Sequence, residues 1–339
     1  MNATKVIMAT LIGLGTASSA LGQNVAPWIN TDSEINFDFT GKKSENYELR
    51  VKMDAAFRFE VIAREGVKAV VKARIEQLIY ENGDFVALQN LDWEKVLEEA
   101  YIQVETDKAT GLPRAIVTFG KHDMAFGQAV SQTPMYRDSL LYNLAQEREV
   151  IGLTIELPTK FLSVVDSVAL SLYETGFGDF QISDEIGGSI KLSKKVMKMI
   201  EIQASALVKE NAGFANTESR YSMGFVFTAP GGKYKVWAQG LVFDQNPNLP
   251  LTEWGAQIGA SAKLGPGTVV IDWQYLESHA HELAVAYSIP VGNHLMFSPE
   301  VRQVWDLGGV GSDETRIGVR TRLHYQSTIG KRLKPRPMH

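Results

Sequence analysis

A strict alternation of apolar and charged residues is the feature that most constrains the fold of this chain. From 47 to 61, every second residue is apolar and most of the residues between are charged. The apolar set is Tyr47, Leu49, Val51, Met53, Ala55, Phe57, Phe59 and Val61, and the charged set is Glu48, Arg50, Lys52, Asp54, Arg58 and Glu60. Because successive side chains of a strand point to opposite faces, the pattern predicts a long β-strand with one apolar and one charged face.

The same alternation recurs along the chain, for example at 68–76, 114–122 and 316–325. It predicts an all-β protein with strands near 34–41, 46–64, 67–80, 94–106, 113–127, 147–158, 164–175, 186–195, 199–211, 219–230, 233–245, 254–265, 267–279, 281–290, 294–306 and 314–327. Strands of this length, with charge on one face and apolar residues on the other, are typical of a transmembrane antiparallel β-barrel of about sixteen strands.

The connections between these strands alternate in length. Short turns at 65–66, 230–232, 265–267 and 291–293 alternate with longer segments at 81–93, 128–146, 176–185, 246–253 and 307–313. Short periplasmic turns on one rim and longer outer loops on the other are typical of an outer-membrane barrel. The connections near 41–45 and 279–281 are shorter than this rule expects.

A soluble β-sandwich is the alternative, but its strands usually run about five or six residues.

The N-terminal residues predict export. A basic Lys5 precedes an apolar run from Val6 to about Gly15, and Ala20-Leu21-Gly22 has the small residues of a cleavage site. We expect a signal peptide at 1–22, a mature start at Gln23, a barrel over 23–330 and a basic tail over 331–339. The alternative, a membrane anchor, is disfavoured because the run is shorter than the roughly 20 residues that a spanning helix needs.

Composition excludes several other classes. Charged residues interrupt every later apolar run, so no segment is a candidate transmembrane helix. The chain contains no cysteine, so its stability does not depend on disulfides. A net charge of -5 with both signs interspersed offers no basic surface for nucleic acid.

One stretch of sequence carries a family resemblance. Residues 119–127, Phe-Gly-Lys-His-Asp-Met-Ala-Phe-Gly, and residues 147–153, Glu-Arg-Glu-Val-Ile-Gly-Leu, flank the longest predicted loop. They resemble the strand-to-loop passage of Gram-negative outer-membrane porins. The resemblance implies sixteen strands, a third outer loop folded into the lumen, a homotrimer in outer-membrane lipid, and passive diffusion of small hydrophilic solutes and ions. The chain departs from such porins where Tyr325 is followed by a basic tail instead of ending the last strand.

Porin-like families also include phosphate-selective and siderophore-linked barrels, so a substrate-selective barrel is a second hypothesis. In general porins, wall cations oppose loop carboxylates across the narrowest point of the pore, which screens solutes by size and charge. The resemblance therefore implies a pore constriction, and the candidates on the polar face and in the loop are Arg50, Arg58, Lys72, Arg74, Asp138, Glu147 and Glu149. Each could equally be an ordinary lumen charge satisfied by its neighbours.

Enzymatic alternatives have weaker support. His279, His281 and Glu282 could bind a metal, but no second cluster completes a site. His122-Asp123 with Ser139 has the residue types of a hydrolase, yet no nucleophile motif surrounds the serine. We therefore predict no catalytic residue, metal or cofactor.

Aromatic residues near strand ends predict a girdle at the membrane boundary. The candidates are Tyr234, Trp237, Trp254, Trp273, Tyr275, Tyr287 and Tyr325.

Overall fold

The computed structural model describes most of the predicted barrel region. The described residues are 28–43, 47–81, 84–85, 96–111, 113–127, 140–141, 150–158, 165–174, 186–210, 217–244, 252–277, 280–306 and 313–329. The predicted signal peptide (1–22), the tail (331–339) and most of the 128–146 loop lie outside them.

Sixteen antiparallel strands form the wall in this part of the chain. They are β1 (Trp28–Lys43), β2 (Tyr47–Arg64), β3 (Val67–Glu81), β4 (Leu97–Glu105), β5 (Ile116–His122), β6 (Val150–Pro158), β7 (Ser167–Glu174), β8 (Ile186–Val196), β9 (Ile200–Glu210), β10 (Thr217–Thr228), β11 (Tyr234–Asp244), β12 (Thr252–Leu264), β13 (Gly267–Leu276), β14 (Ala280–Val291), β15 (Leu295–Asp306) and β16 (Glu314–Ile329). Two residues, Asp84–Phe85, pair with the end of β3.

The sheet closes on itself because β1 pairs with both β2 and β16. The closing register runs from Ile29 opposite Ile329 to Lys43 opposite Thr315. Every described wall strand therefore has a neighbouring strand on both sides. A closed barrel satisfies the strand hydrogen bonds internally, which is the condition for β-structure to span a membrane.

The side chains are distributed in the opposite sense to those of a soluble protein. Large apolar residues on one face are exposed, including Phe59 at 47% and Phe119 at 62%. Charged and polar residues on the other face are buried, including Asp38 at 4% and Arg302 at 2%. An apolar exterior around a polar interior is stable only where the exterior meets lipid. The predicted facing of β2 is confirmed, since exposed Leu49 and Phe59 alternate with charged residues that pair inside the barrel.

Short and long connections lie on opposite rims. On the short-turn rim, two residues join β2 to β3 and two join β12 to β13, and Gly66 and Gly265 adopt positive φ there. A short helix, α1 (Thr106–Thr110), and a 3-10 turn, Pro230–Gly232, make two other connections on this rim. The other rim holds the ends that border 82–96, 123–149 and 175–185. The predicted layout is thus confirmed, including the brief links between β1 and β2 and between β13 and β14.

Two predicted boundaries were wrong. The first strand begins at Trp28 instead of near 34, because the outward residues Thr31 and Ser33 weaken its alternation. The fifth strand was expected to run to 127, but it ends at His122, beside Gly120 with φ 124°.

No helix among the described residues is long and apolar enough to cross a membrane.

Candidate functional site: the barrel lumen

Charge pairs cover the inner wall around the strand closure. Arg320 of β16 donates two hydrogen bonds to Asp38 of β1, each 2.6 Å long. On β15, Arg302 bonds to Glu300 at 2.7 Å and to Glu282 at 3.1 Å. These guanidinium groups are buried and paired, and each is fixed by at least one carboxylate of the adjacent strand.

Three of the predicted constriction residues lie together on this wall. Arg58, Lys72 and Arg74 line one cavity of about 200 Å³, together with Arg320 and Asp54 among other residues. Arg74 donates to Asp54 at 2.6 and 2.5 Å and to Glu98 at 3.1 Å. The ammonium of Lys72 contacts Glu98 at 2.6 Å and Glu99 at 3.3 Å. Lys72 and Arg74 are therefore neutralised by wall carboxylates.

Arg58 differs from its neighbours. Its Nη2 donates to Tyr101 Oη at 3.0 Å, and it makes no ion pair with any residue that the structure describes. It also lines a larger cavity of about 450 Å³ that extends to β8 and β9. Arg58 thus reaches the lumen without a direct carboxylate contact among the described residues, and the carboxylates that share its cavities, including Asp32 and Glu34 in the smaller one and Glu99 in the larger one, lie farther away.

Of the other predicted constriction residues, the structure describes one, Arg50, and it does not join this group. Arg50 lies toward the long-loop rim, where its Nε contacts Glu81 at 2.8 Å, and it lines neither cavity. Asp138, Glu147 and Glu149 lie outside the described residues.

The two described parts of the connection between β5 and β6 contact the inner wall. The backbone N–H of Gly127 donates to Ser205 Oγ of β9 at 2.9 Å, and Ser189 Oγ of β8 donates to the carbonyl of Ala125 at 3.1 Å. Farther along the chain, the N–H of Leu141 donates to Gln274 Oε1 of β13 at 2.8 Å. These wall residues face the lumen, because they alternate with outward apolar residues on their strands.

An apolar cluster inside the barrel holds these contacts in place. Met124, Phe126 and Leu141 of the connection are buried against inward residues of the wall. The wall contributes Val150, Tyr173, Leu207, Leu241, Phe243 and Leu276. We did not predict this cluster. Its sequence signal is the run Leu241-Val242-Phe243, which is apolar on both faces of β11 and therefore indicates an inner face without water.

Trp237 was expected in the membrane girdle, and this prediction was wrong. Its side chain is 2% exposed on the inner face of β11, and its Nε1 donates to Asp272 at 3.0 Å. A Cβ at Gly259 would lie 2.2 Å from the indole, so the neighbouring strand leaves room for the ring. The indole N–H needs an acceptor when buried, and Asp272 supplies it. Other candidates are outward, including Tyr234, Trp254 and Tyr325, which are exposed.

Neither the metal site nor the hydrolase site considered from the sequence is assembled among the described residues. His281 packs against Trp305, with ring centroids 4.8 Å apart, whereas the adjacent Glu282 points inward to Arg302. Both ring nitrogens of His122 are engaged, by the Gly120 carbonyl and by Thr154 Oγ1. No group of three or more potential metal ligands occurs within the described ranges. His279 and Ser139 lie outside them.

No family model and no curated sequence matches the chain, but solved structures do. OmpF of Salmonella typhi, in complex with daunomycin, aligns with a TM-score of 0.62 at 9% identity over 88% of this chain and 97% of its own. OmpT of Vibrio cholerae, solved in trimer form, gives 0.56 at 10% identity over 89% and 100%. The anion-selective porin of Comamonas acidovorans gives 0.55 at 12% identity over 89% and 99%. The chain therefore has the fold of the sixteen-stranded outer-membrane porins.

Proposed function

We propose that the protein is an outer-membrane channel for passive diffusion of small hydrophilic solutes and ions. The observation that carries this proposal is the closed barrel with an apolar exterior and a charged interior. The apolar exterior requires lipid, and the charged interior requires water. The short-turn rim would then face the periplasm and the long-loop rim the exterior.

We further infer that the connection between β5 and β6 narrows this channel. The lumenal anchors at Gly127 and Leu141 bracket residues 128–139, so both ends of that segment start from the inner wall. The anchors lie on β9 and β13, and Arg58, Lys72 and Arg74 lie on β2 and β3. If the segment crosses the lumen, Asp138 would face these cations, and Glu147 and Glu149 would add negative charge where the connection rejoins the wall. Low-dielectric walls would focus the resulting transverse field.

Deletion of 130–138 tests the constriction and leaves both anchors in place. We expect a higher single-channel conductance in planar bilayers, because the segment would no longer obstruct the lumen. A matched control removes 309–311 from the connection between β15 and β16, which has no described lumenal anchor, and should leave conductance nearly unchanged. An unchanged conductance after the first deletion would place 128–139 outside the pore.

The neighbours' fold does not assign a solute, so the substrate-selective barrel remains the second hypothesis. Saturation of the current by one solute, such as phosphate or an iron chelate, would favour it.

The homotrimer also remains a proposal. Crosslinking of the protein in native membranes should give a three-chain product.

A further inference from the structure

Three consecutive turns on the short-turn rim share one sequence feature. In each turn, a lysine adjoins a large apolar or aromatic residue that is more than half exposed. The pairs are Met197-Lys198 between β8 and β9, Lys233-Tyr234 at the start of β11, and Lys263-Leu264 at the end of β12. We call Lys198, Lys233 and Lys263 the rim lysines.

The rim lysines lie where the outward apolar face of the barrel ends. Tyr234 and Leu264 occupy the last outward positions of their strands on this rim. Tyr287 of β14 reaches the same level, because its hydroxyl donates to the carbonyl of Leu264 at 2.9 Å. Outward tyrosines at a membrane boundary place the ring beside the hydrocarbon and the hydroxyl among the headgroups. The adjoining ammonium groups are therefore at the level of the lipid phosphates.

The spacing of the rim lysines suits a row of lipid headgroups. Neighbouring strands are about 4.8 Å apart, and one short turn occurs every two strands, so the lysines are on the order of 10 Å apart along the rim. A lysine stem can lie along apolar surface while its ammonium reaches into the polar layer. Each rim lysine can thus contact a different lipid.

The arc of the rim that carries these lysines has an excess of positive charge. In its described segments, 165–167, 193–201, 226–236 and 261–268, the acids are Asp166 and Glu201. Asp166 contacts Lys194 at 3.2 Å, and Glu201 accepts a hydrogen bond from Gln203 on the inner face of β9. The rim lysines form no ion pair within 4 Å with any described residue.

The turn between β8 and β9 has an unusual backbone for its sequence. Met197 and Lys198 adopt φ of 53° and 59°, and the N–H of Met199 donates to the carbonyl of Val196 at 3.3 Å. Positive φ at both central residues of a tight hairpin turn normally selects Asn and Gly, since other residues adopt it at a cost. A Met-Lys pair at these positions is expected where the two side chains have a role outside the turn.

We propose that the rim lysines bind the phosphate groups of anionic phospholipids in the periplasmic leaflet. Lysines near a membrane surface attract anionic lipid, and the adjoining apolar side chains would hold them at that level by contacting the acyl chains. The site lies on the outer rim of the barrel, so the proposal does not depend on the proposed channel function.

The opposite arc of the same rim provides a matched control. Lys108 of α1 and Arg114 after it are exposed there. Acids accompany them, since Lys108 contacts Glu105 at 2.6 Å and Glu65 and Asp107 lie in the same turns. Replacing Lys108 and Arg114 removes two positive charges from an arc that has no excess of lysine.

The experiment measures the midpoint of urea unfolding of the full mature protein in two kinds of vesicle, pure phosphatidylcholine and equal parts of phosphatidylcholine and phosphatidylglycerol. We expect a higher midpoint for wild type in the mixed vesicles, because bound anionic lipid stabilises the folded barrel. K198Q/K233Q should lose at least half of this increase. High salt should also reduce the increase in wild type, since exposed charges are screened.

Two variants should retain the full increase. K108Q/R114Q removes the same number of charges from the opposite arc, and K198R/K233R keeps the charge of the rim lysines. Lys198 and Lys233 are exposed in turns, so their variants should fold. Equal midpoints of wild type in the two kinds of vesicle would overturn the proposal. Equal losses in K198Q/K233Q and K108Q/R114Q would also overturn it, because lipid would then respond to the charge of the whole rim.

Discussion

At the scale of single residues, the lumen contains two kinds of arginine. Arg74 is buried and held by Asp54 and Glu98, whereas Arg58 is held by one tyrosine hydroxyl. The sequence places both on the polar face of a strand, but it does not distinguish them. The difference depends on Glu98 and Tyr101 of β4, whose register against β3 shifts between Lys72 and Ala73. A register shift of this kind does not alter the alternation of apolar and charged residues clearly enough to be predicted from the sequence.

Arg58→Gln should therefore change selectivity more than stability. We expect the chloride-to-potassium permeability ratio to fall, since the substitution removes a lumen cation that has no ion pair with any described residue. The midpoint of urea unfolding in lipid vesicles should fall only modestly, because one hydrogen bond to a tyrosine hydroxyl is lost and no ion pair with a described residue is broken. Tyr101→Phe is the control, since it removes the same hydrogen bond and keeps the charge. A large loss of stability in Arg58→Gln alone would show that Arg58 has a structural ion partner.

Arg74→Gln should behave in the opposite way. Asp54 is buried, and the substitution would leave its carboxylate without its guanidinium partner. Removal of one member of a buried ion pair costs about 3 to 5 kcal/mol. The same vesicle unfolding measurement should show this loss. Lys52→Gln is the control, because its pair with Glu76 is partly exposed and its removal should cost at most about 1 kcal/mol.

At the scale of elements, the strands were predictable from the sequence, whereas the side-chain contacts inside the barrel were not. Each strand meets lipid on one face, so apolar residues must recur with period two, and this requirement makes the sixteen strands visible. The inner face obeys no such rule. The inner face carries charge pairs near Asp38, whereas near Phe243 it carries an apolar cluster that packs against the connection between β5 and β6. Trp237 was misassigned for the same reason, because a tryptophan near a strand end is compatible with either face.

The two faces of β2 give a direct test of this account. Arginine at Val51 or Met53, which alternate with the inward charges, should cost about 2 to 4 kcal/mol of membrane folding stability, because the charge would enter the hydrocarbon. Lys52→Gln on the inner face should cost much less. Unfolding free energies in vesicles provide the comparison. Equal losses on both faces would contradict the assigned facing.

At the scale of the whole molecule, the strand closure joins residues up to 300 positions apart, as with Ile29 and Ile329. The alternation predicts the number of strands, whereas closure follows from the need to pair every edge in lipid. The segment that would narrow the pore has no such periodic signal. Its position was predictable from its length and flanking motif, but the constriction by Asp138, Glu147 and Glu149 remains a prediction.

Export also belongs to this scale. We propose that residues 1–22 are removed, because a barrel reaches the outer membrane only after passing the inner one. Intact mass measurement of protein isolated from cell envelopes should give a mature N-terminus at or within a few residues of Gln23. Retention of Met1 on that protein would refute the cleavage.

The central claim is that a water-filled lumen passes solutes through the barrel. Single-channel recording of the refolded mature protein in planar bilayers tests it most directly. The account predicts discrete, stable conductance steps that rise in proportion to KCl concentration and do not saturate with any one solute. Folded protein that inserts into the bilayer and gives no steps would contradict it.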